Sequence, residues 1–191
     1  MKNKIKKILK ESLGVQENFI STEADRIAKG ALMLAGCLAS GHKILIFGNG
    51  GSAADSQHIA AEFINRFAME RPGLAAIALT CDTSVLTAIS NDYSFDNVFS
   101  RQIESIGRPG DLAWGISTSG KSENVIKAMD KAHEMGLSTM IFTGKDGGDL
   151  KDRGDMVYIV RSEITARIQE CHILTAHILC GLVEKTLFPE S

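Results

Sequence analysis

Residues 43–63 limit what this chain can fold into more than any other stretch. Ile44-Leu45-Ile46-Phe47 is an unbroken apolar run, followed directly by Gly48-Asn49-Gly50-Gly51-Ser52. The run reads as a buried strand. Three glycines within four residues then turn the chain sharply, and small residues with Asp55 start a helix. A strand that feeds a glycine turn and a helix N-terminus leaves backbone N–H groups exposed, with the positive end of the helix dipole behind them. That is an anion pocket. His58 and Glu62 follow at i, i+4, on one helix face about a turn below the pocket. An anion-holding turn with a carboxylate and an imidazole beside it points to chemistry on a phosphorylated substrate.

The remaining chain supplies the context for that unit. Residues 4–39 carry Ile5, Ile8, Leu9, Leu13 and then Ile27, Ala31, Leu34, Ala35 and Leu38 at helical spacing, stopped by Ser40-Gly41. Gly14 and a Ser21-Thr22 cap divide this region into two helices. Its apolar stripe exceeds what one α/β core needs, which points to an oligomer interface. Further strands are expected at 75–79, 111–116, 138–142 and 156–160, and helices at 83–89, 97–106, 123–135 and 165–187. Residues 90–94 read as a polar loop and 144–149 as a glycine-rich one. Unbroken apolar strands alternating with helices indicate a doubly wound parallel sheet buried on both faces. Ligands of such sheets bind beyond the carboxyl ends of the strands, which places 48–52, 80–82, 117–122 and Thr143-Gly144 on one rim.

Composition narrows the function classes. A chain of 191 residues with 44% hydrophobic and 23% charged residues makes one domain with a proper core and is not disordered. A net charge of -2 offers no basic field for nucleic acid or an anionic membrane, so selectivity for phosphate must be local. The basic residues 1–7 lead into no apolar signal segment, and no run approaches a membrane span, so the chain reads as cytosolic. Cys37, Cys81, Cys171 and Cys180 have no metal-site spacing and read as reduced core thiols.

Several motifs need weighing. Gly48-Asn49-Gly50-Gly51-Ser52-Ala53 fits the dinucleotide pattern G-x-G-x-x-G/A, but the acidic residue that should close the second strand is missing, since Asp82 comes too late. A phosphate- or sugar-contacting turn is the better reading. Gly115-Ile116-Ser117-Thr118-Ser119-Gly120-Lys121-Ser122 matches G-x-x-x-x-G-K-[ST] literally, yet Gly115 and Ile116 belong to the preceding strand. The loop proper starts at Ser117, and its hydroxyls and helix N-terminal amides suit a phosphate monoester. In the last helix Gln169 and His177 stand eight apart, about two turns, and project to the same side. His58, Glu62, Gln169 and His177 then form a tetrahedral N/O set suited to zinc. His172 reads as a core histidine, His42 and His133 as solvated ones.

With these residues in view the whole chain resembles the sugar isomerase (SIS) domain family, and within it the phosphoheptose isomerases. The resemblance is carried by Gly48-Asn49-Gly50-Gly51-Ser52, the His58–Glu62 helix, Asn91-Asp92, Ser117-Thr118-Ser119 with Ser122, and Ala166-Arg167-Ile168-Gln169-Glu170 followed by His177. It implies a single SIS domain over 1–191, with 1–40 a helical, oligomerising extension and 41–191 an α/β core built on a five-stranded parallel sheet. It implies interconversion of sedoheptulose 7-phosphate and D-glycero-D-manno-heptose 7-phosphate for bacterial surface polysaccharide, with Glu62 and His177 catalytic. Asn49, Gly50, Gly51, Glu62, Asn91, Asp92, Ser117, Thr118, Ser119, Ser122 and Gln169 would contact substrate. His58, Glu62, Gln169 and His177 would bind one zinc ion per subunit, in a homotetramer with sites at subunit boundaries. Lys121 departs from the pattern, which has Asn there; an added cation beside the hydroxyl loop should favour phosphate. A non-catalytic relative that binds the bacterial replication initiator shares much of the pattern, including residues like 63–67, Glu70-Arg71-Pro72 and Leu187-Phe188-Pro189. It lacks the catalytic pair, whereas this chain has Glu62 and His177.

Overall fold

The computed structural model describes residues 1–189, so the last two residues of the expected domain lie outside the described residues. The apolar runs become five strands: β1 Ile44–Gly48, β2 Ala76–Ala78, β3 Leu112–Ser117, β4 Ser138–Gly144 and β5 Met156–Val160. They form one sheet in the order β2-β1-β3-β4-β5, with every pair parallel. Parallel neighbours need crossovers, supplied by α2 Gly51–Ile64, by α3 Thr83–Asp92 with α4 Ser100–Ile106, by α5 Glu123–Glu134 and, between β4 and β5, by the 3₁₀ turn Gly148–Leu150, while α1 Lys2–Ala39 precedes the sheet and α6 Thr165–Leu187 follows it. Alternate strand residues face opposite ways. Ile44, Ile46, Trp114, Ile116, Phe142 and Tyr158 pack with α1, α2 and α6, while Leu45, Phe47, Ala113, Ile141 and Val157 pack with α3, α4 and α5. The central strands β1 and β3 are buried on both faces along their whole length, as unbroken apolar runs require, while Ile77 on the β2 edge stays 40% exposed.

The helical extension differs from expectation. It is one helix of 38 residues, not two. Gly14 is tolerated in its exposed part, at a cost of about 1 kcal/mol against alanine. The Ser21 and Thr22 hydroxyls donate back to the carbonyls of Glu17 and Asn18, at 2.7 and 2.8 Å, so they cap nothing. Packing fixes the helix from Phe19 onward, where Ile27, Ala31, Leu34 and Leu38 are buried. At Gly30 the helix passes so close to β5 that a Cβ would overlap the Tyr158 hydroxyl, which donates to the Arg26 carbonyl at 2.8 Å. Toward the N-terminus, Ile5, Leu9 and Leu13 stay exposed, at 62, 57 and 54%.

Other boundaries shift for local reasons. The β2 edge strand keeps three residues, Ala76–Ala78, each paired with β1 alone. Helix α3, N-capped by Asp82 accepting from the Val85 N–H at 3.0 Å, continues through Asn91 and Asp92, where a loop was expected. A short 3₁₀ turn, Phe95–Asn97, then precedes α4. Strands β3 and β4 extend to Ser117 and Gly144, so both enter the rim as strand residues. Cys37, Cys171 and Cys180 are buried, but Cys81 is exposed, contrary to its expected core position. His42 is not freely solvated: its Nδ1 lies 3.6 Å from the buried Asp111 carboxylate, whereas His133 is exposed as expected. No helix among the described residues is long and apolar enough to cross a membrane.

His172 is a core histidine, 1% exposed, with Nε2 3.0 Å from the Thr143 carbonyl oxygen. Burial pushes its pKa down from 6.5 to about 4, against the pull of that carbonyl. The neutral ring therefore stabilises the fold fully above pH 6.5, and the contribution is lost as pH falls toward about 4. In urea unfolding, the wild-type protein should lose up to about 1.4 kcal/mol per pH unit across that window through this group. His172→Gln should lack that component of the slope.

Candidate functional site

The anion turn takes the form its glycines dictate. Gly48 ends β1 with no room for a side chain, since a Cβ would meet the Ile116 carbonyl oxygen at 2.7 Å. Gly50 adopts φ +55°, a left-handed conformation that favours glycine. Between β1 and β3 the connections part: α2 leaves to one face of the sheet and α5 to the other. This is the switch point of a doubly wound sheet, where a crevice opens. Asn49 spans it. Its amide exchanges two hydrogen bonds with that of Asn124 on α5, at 2.8 and 2.9 Å.

The hydroxyl loop leaves β3 on the other side of the crevice. The Ser117 and Ser122 hydroxyls lie 2.9 Å apart, and the Lys121 N–H donates to the Ser119 hydroxyl at 3.2 Å. Gly120, at φ +67°, turns the loop, and its carbonyl accepts from the Asp149 N–H at 3.0 Å. Behind it lies the glycine-rich segment after β4. A Cβ on Gly120 would overlap the Gly147 carbonyl, and one on Gly148 would stand 2.6 Å from the Ser119 carbonyl oxygen. The two loops thus stack backbone against backbone. Gly115 and Ile116 pair in register with Phe47 and Gly48, which rules out the literal P-loop. The exposed Lys121 side chain lines an open cleft with Asp146, Asp149, Lys151, Asp152 and Arg153.

Helices α2 and α6 run side by side, which brings together groups far apart in sequence. Gln169 lays its amide on Gly51, where any Cβ would overlap Nε2. Further along, His58 Nε2 lies 3.1 Å from a Glu62 carboxylate oxygen and 3.4 Å from His177 Nε2. Ligand atoms of His58, Glu62 and His177 all fall within 4.8 Å of one another. The rings of His58 and His177 meet edge to face, 5.0 Å between centroids, and Phe67 backs His177 at 5.4 Å. Burial first, and His58 second, hold the His177 imidazole below its ordinary pKa, while Glu62 pulls it up. The arrangement offers a carboxylate and an imidazole from different helices that can reach one small molecule.

Not every expected residue joins this group. Asn91 and Asp92 close α3, exposed, with the Asn91 amide donating to Asp92 at 2.8 Å; among the described residues no hydrogen bond or ion pair ties them to the trio or the hydroxyl loop. Two residues at the site were not singled out from the sequence. Asn124 pairs with Asn49, a contact spanning 75 positions that no spacing rule signals. Asp55 lies one turn before His58 with its Oδ2 buried and without a hydrogen-bond partner among the described residues. Burial holds its carboxyl above the ordinary range, although His58 opposes this. Its i−3 spacing from His58 was the available signal.

Known proteins resemble this chain over nearly its whole length. The SIS domain family matches residues 9–144. The phosphoheptose isomerase of Aquifex aeolicus is 51% identical over 191 residues, covering all of both chains. That of a Roseiflexus species is 54% identical over 182 residues, 95% of this chain and 92% of its own. Among solved structures, the phosphoheptose isomerase of Neisseria gonorrhoeae superposes with a TM-score of 0.89 at 42% identity, covering 96% of this chain and 98% of that one. The enzyme from Francisella tularensis gives 0.92 at 35% identity, covering 96% and 97%. With the β1 turn, the hydroxyl loop and the α2–α6 trio in the same chain, this protein belongs to the SIS-domain family and, within it, to the phosphoheptose isomerases.

Proposed function

We propose that the chain interconverts sedoheptulose 7-phosphate and D-glycero-D-manno-heptose 7-phosphate, a cytosolic step toward heptose units of bacterial surface polysaccharide. The observation that carries this reading is the meeting of Glu62 on α2 with His177 on α6, both within reach of His58. Ser117, Thr118, Ser119 and Ser122, with the amides at the start of α5, hold the phosphate. Asn49, Gly50 and Gly51 at the β1 turn, with Asn91, Asp92 and Gln169, hold the sugar. Glu62 removes the proton from C2 of the open-chain aldose and returns one to C1, through a cis-enediol. His177 donates to the carbonyl oxygen and takes the proton from the neighbouring hydroxyl, so each group ends a turnover as it began. Such acid–base assistance is worth on the order of 10²–10⁴-fold, and an anchored phosphate adds orientation.

The same residues suit a zinc ion. With bonds of about 2.0–2.2 Å, donors of a tetrahedral site lie roughly 3.3–3.6 Å apart. The 3.1 and 3.4 Å separations around His58 are close to that spacing, and two imidazoles with a carboxylate are a common zinc donor set. His58, Glu62, Gln169 and His177 would hold it, one per subunit. Bound there, zinc supplies a Lewis acid for a carbonyl oxygen.

The exposed leucines and isoleucines of α1 support a homotetramer, assembled through residues 1–40, with its sites at subunit boundaries. In light scattering the protein should weigh four times its 20.6 kDa chain mass, and Leu9→Lys with Leu13→Lys should lower that mass. Glu62→Gln should abolish aldose formation from sedoheptulose 7-phosphate while leaving sugar-phosphate binding, measured by calorimetry, intact. Appreciable turnover would remove Glu62 from its role. Ser119→Ala with Ser122→Ala should raise KM by about 10²-fold or more, since each of the two lost hydrogen bonds to a charged group is worth about 1.5–3 kcal/mol. An unchanged KM would count against the phosphate loop.

A further inference from the structure

The segment between α2 and β2 is tied down by a buried ion pair that the chemistry above does not use. Glu184, on α6 and 1% exposed, accepts from the N–H groups of Phe67, Ala68 and Met69 at 2.8, 3.0 and 3.1 Å, and from Arg71 Nε at 2.9 Å. Arg71 is also buried, and its other two nitrogens donate to four carbonyl oxygens. They are those of Glu62 at 2.8 Å, Phe63 at 2.7 Å, Pro72 at 3.0 Å and Asn65 at 3.3 Å. The last turn of a helix leaves carbonyls without intrahelical partners and carries the negative end of the dipole. Arg71 therefore caps α2, and Glu184 ties that cap to α6.

What the pair connects is telling. Arg71 grips the backbone of Glu62, and Glu184 follows His177 by seven residues, two turns along α6 and on nearly the same face. One ion pair thus joins the two helices beside the two side chains that must share a substrate. Phe67, at the start of the strap, lies on the His177 ring at 5.4 Å with the planes 32° apart. His58 stands against the same ring at 5.0 Å, so the imidazole is held between two neighbours. Stability alone does not call for this design, because well-packed apolar residues commonly serve as well as a buried ion pair. Its distinctive gain is a fixed geometry.

We propose that Arg71 and Glu184 form a clamp that sets the separation of Glu62 and His177, with Phe67 fixing the ring plane of His177. All three are positioning residues for the isomerisation. The proposal rests on the roles given above to Glu62 and His177.

The test uses the full-length protein with Phe67→Ala, Glu184→Gln and Arg71→Lys, each checked for a cooperative thermal transition. Kinetics with sedoheptulose 7-phosphate and zinc affinity by competition with a coloured chelator are then read well below that transition. Glu184→Gln should lower kcat by up to about 10²-fold, the scale of a misplacement near 1 Å, with KM within about twofold because the phosphate loop is untouched. Phe67→Ala should lower kcat by about tenfold. Zinc affinity should weaken by about tenfold in Glu184→Gln, as for lost outer contacts of a metal site. If Glu184→Gln does not fold, Arg71→Lys, which keeps the charge and loses the fork to the α2 carbonyls, should show the same kcat-selective loss. Folded variants with wild-type kcat and zinc affinity, or with a loss confined to KM or melting temperature, would overturn the clamp. Glu62→Gln, assayed alongside, separates the readings: if it stays active, the role of Glu62 fails, whatever the clamp variants do.

Discussion

The parallel pairing of β1 with β3 is the constraint on which the site depends. Ile44 to Gly48 run in register with Leu112 to Ile116, so both chains leave the sheet at one level. Their helices then depart to opposite faces, because each must bury an apolar side against a different half of the core. The crevice between them needs no further device: two backbones diverge, and the amides of the following turns point into the gap. The mutual bond between Asn49 and Asn124 holds the two walls at a fixed distance.

A near-neutral chain has to create its electrostatics locally. At the α2–α6 seam burial does this, depressing His177 on α6 and raising Asp55 on α2. Away from the seam, the buried carboxylates of Glu184 and Asp111 are matched. Burial alone would raise the Glu184 carboxyl, yet the N–H groups of Phe67, Ala68 and Met69, with Arg71, hold it below the ordinary range. Asp111 is treated likewise by Lys43 and the Arg108 N–H. Asp55 differs, because one of its oxygens is buried and unmatched among the described residues, and it lies beside the proposed reaction centre. Structural carboxylates here are satisfied; the exception adjoins the chemistry.

The parts legible in the sequence are those set by local rules. Unbroken apolar runs gave the parallel sheet, glycine spacing gave the turn, and whole-turn offsets placed His58 with Glu62 on one helix face. The meeting of α2 with α6 could be guessed, since two polar pairs on separate helices have little reason to exist alone. Features set by distant packing were not readable. The continuity of α1 through Gly14 is one of these, since local propensity alone favours a break there, while Arg167 and Glu170 of α6 hold Glu11 and Ser12 just before it. The Arg71–Glu184 contact spans 113 positions, and an arginine in a Pro-Gly turn resembles any solvated one. Lys121 adjoins the hydroxyls in sequence, whereas Asp146 and Asp149 share its cleft only in space.

The stacking of Gly120 on Gly147 and Gly148 has a consequence for how this fold can diversify. Neither segment owns its shape: the one after β3 is moulded on the one after β4, with carbonyl oxygens where side chains would otherwise stand. A substitution in either is read by both, so drift toward a different anionic ligand must proceed through paired changes. Transplanting one of these segments from a relative with other tastes would carry half a mould.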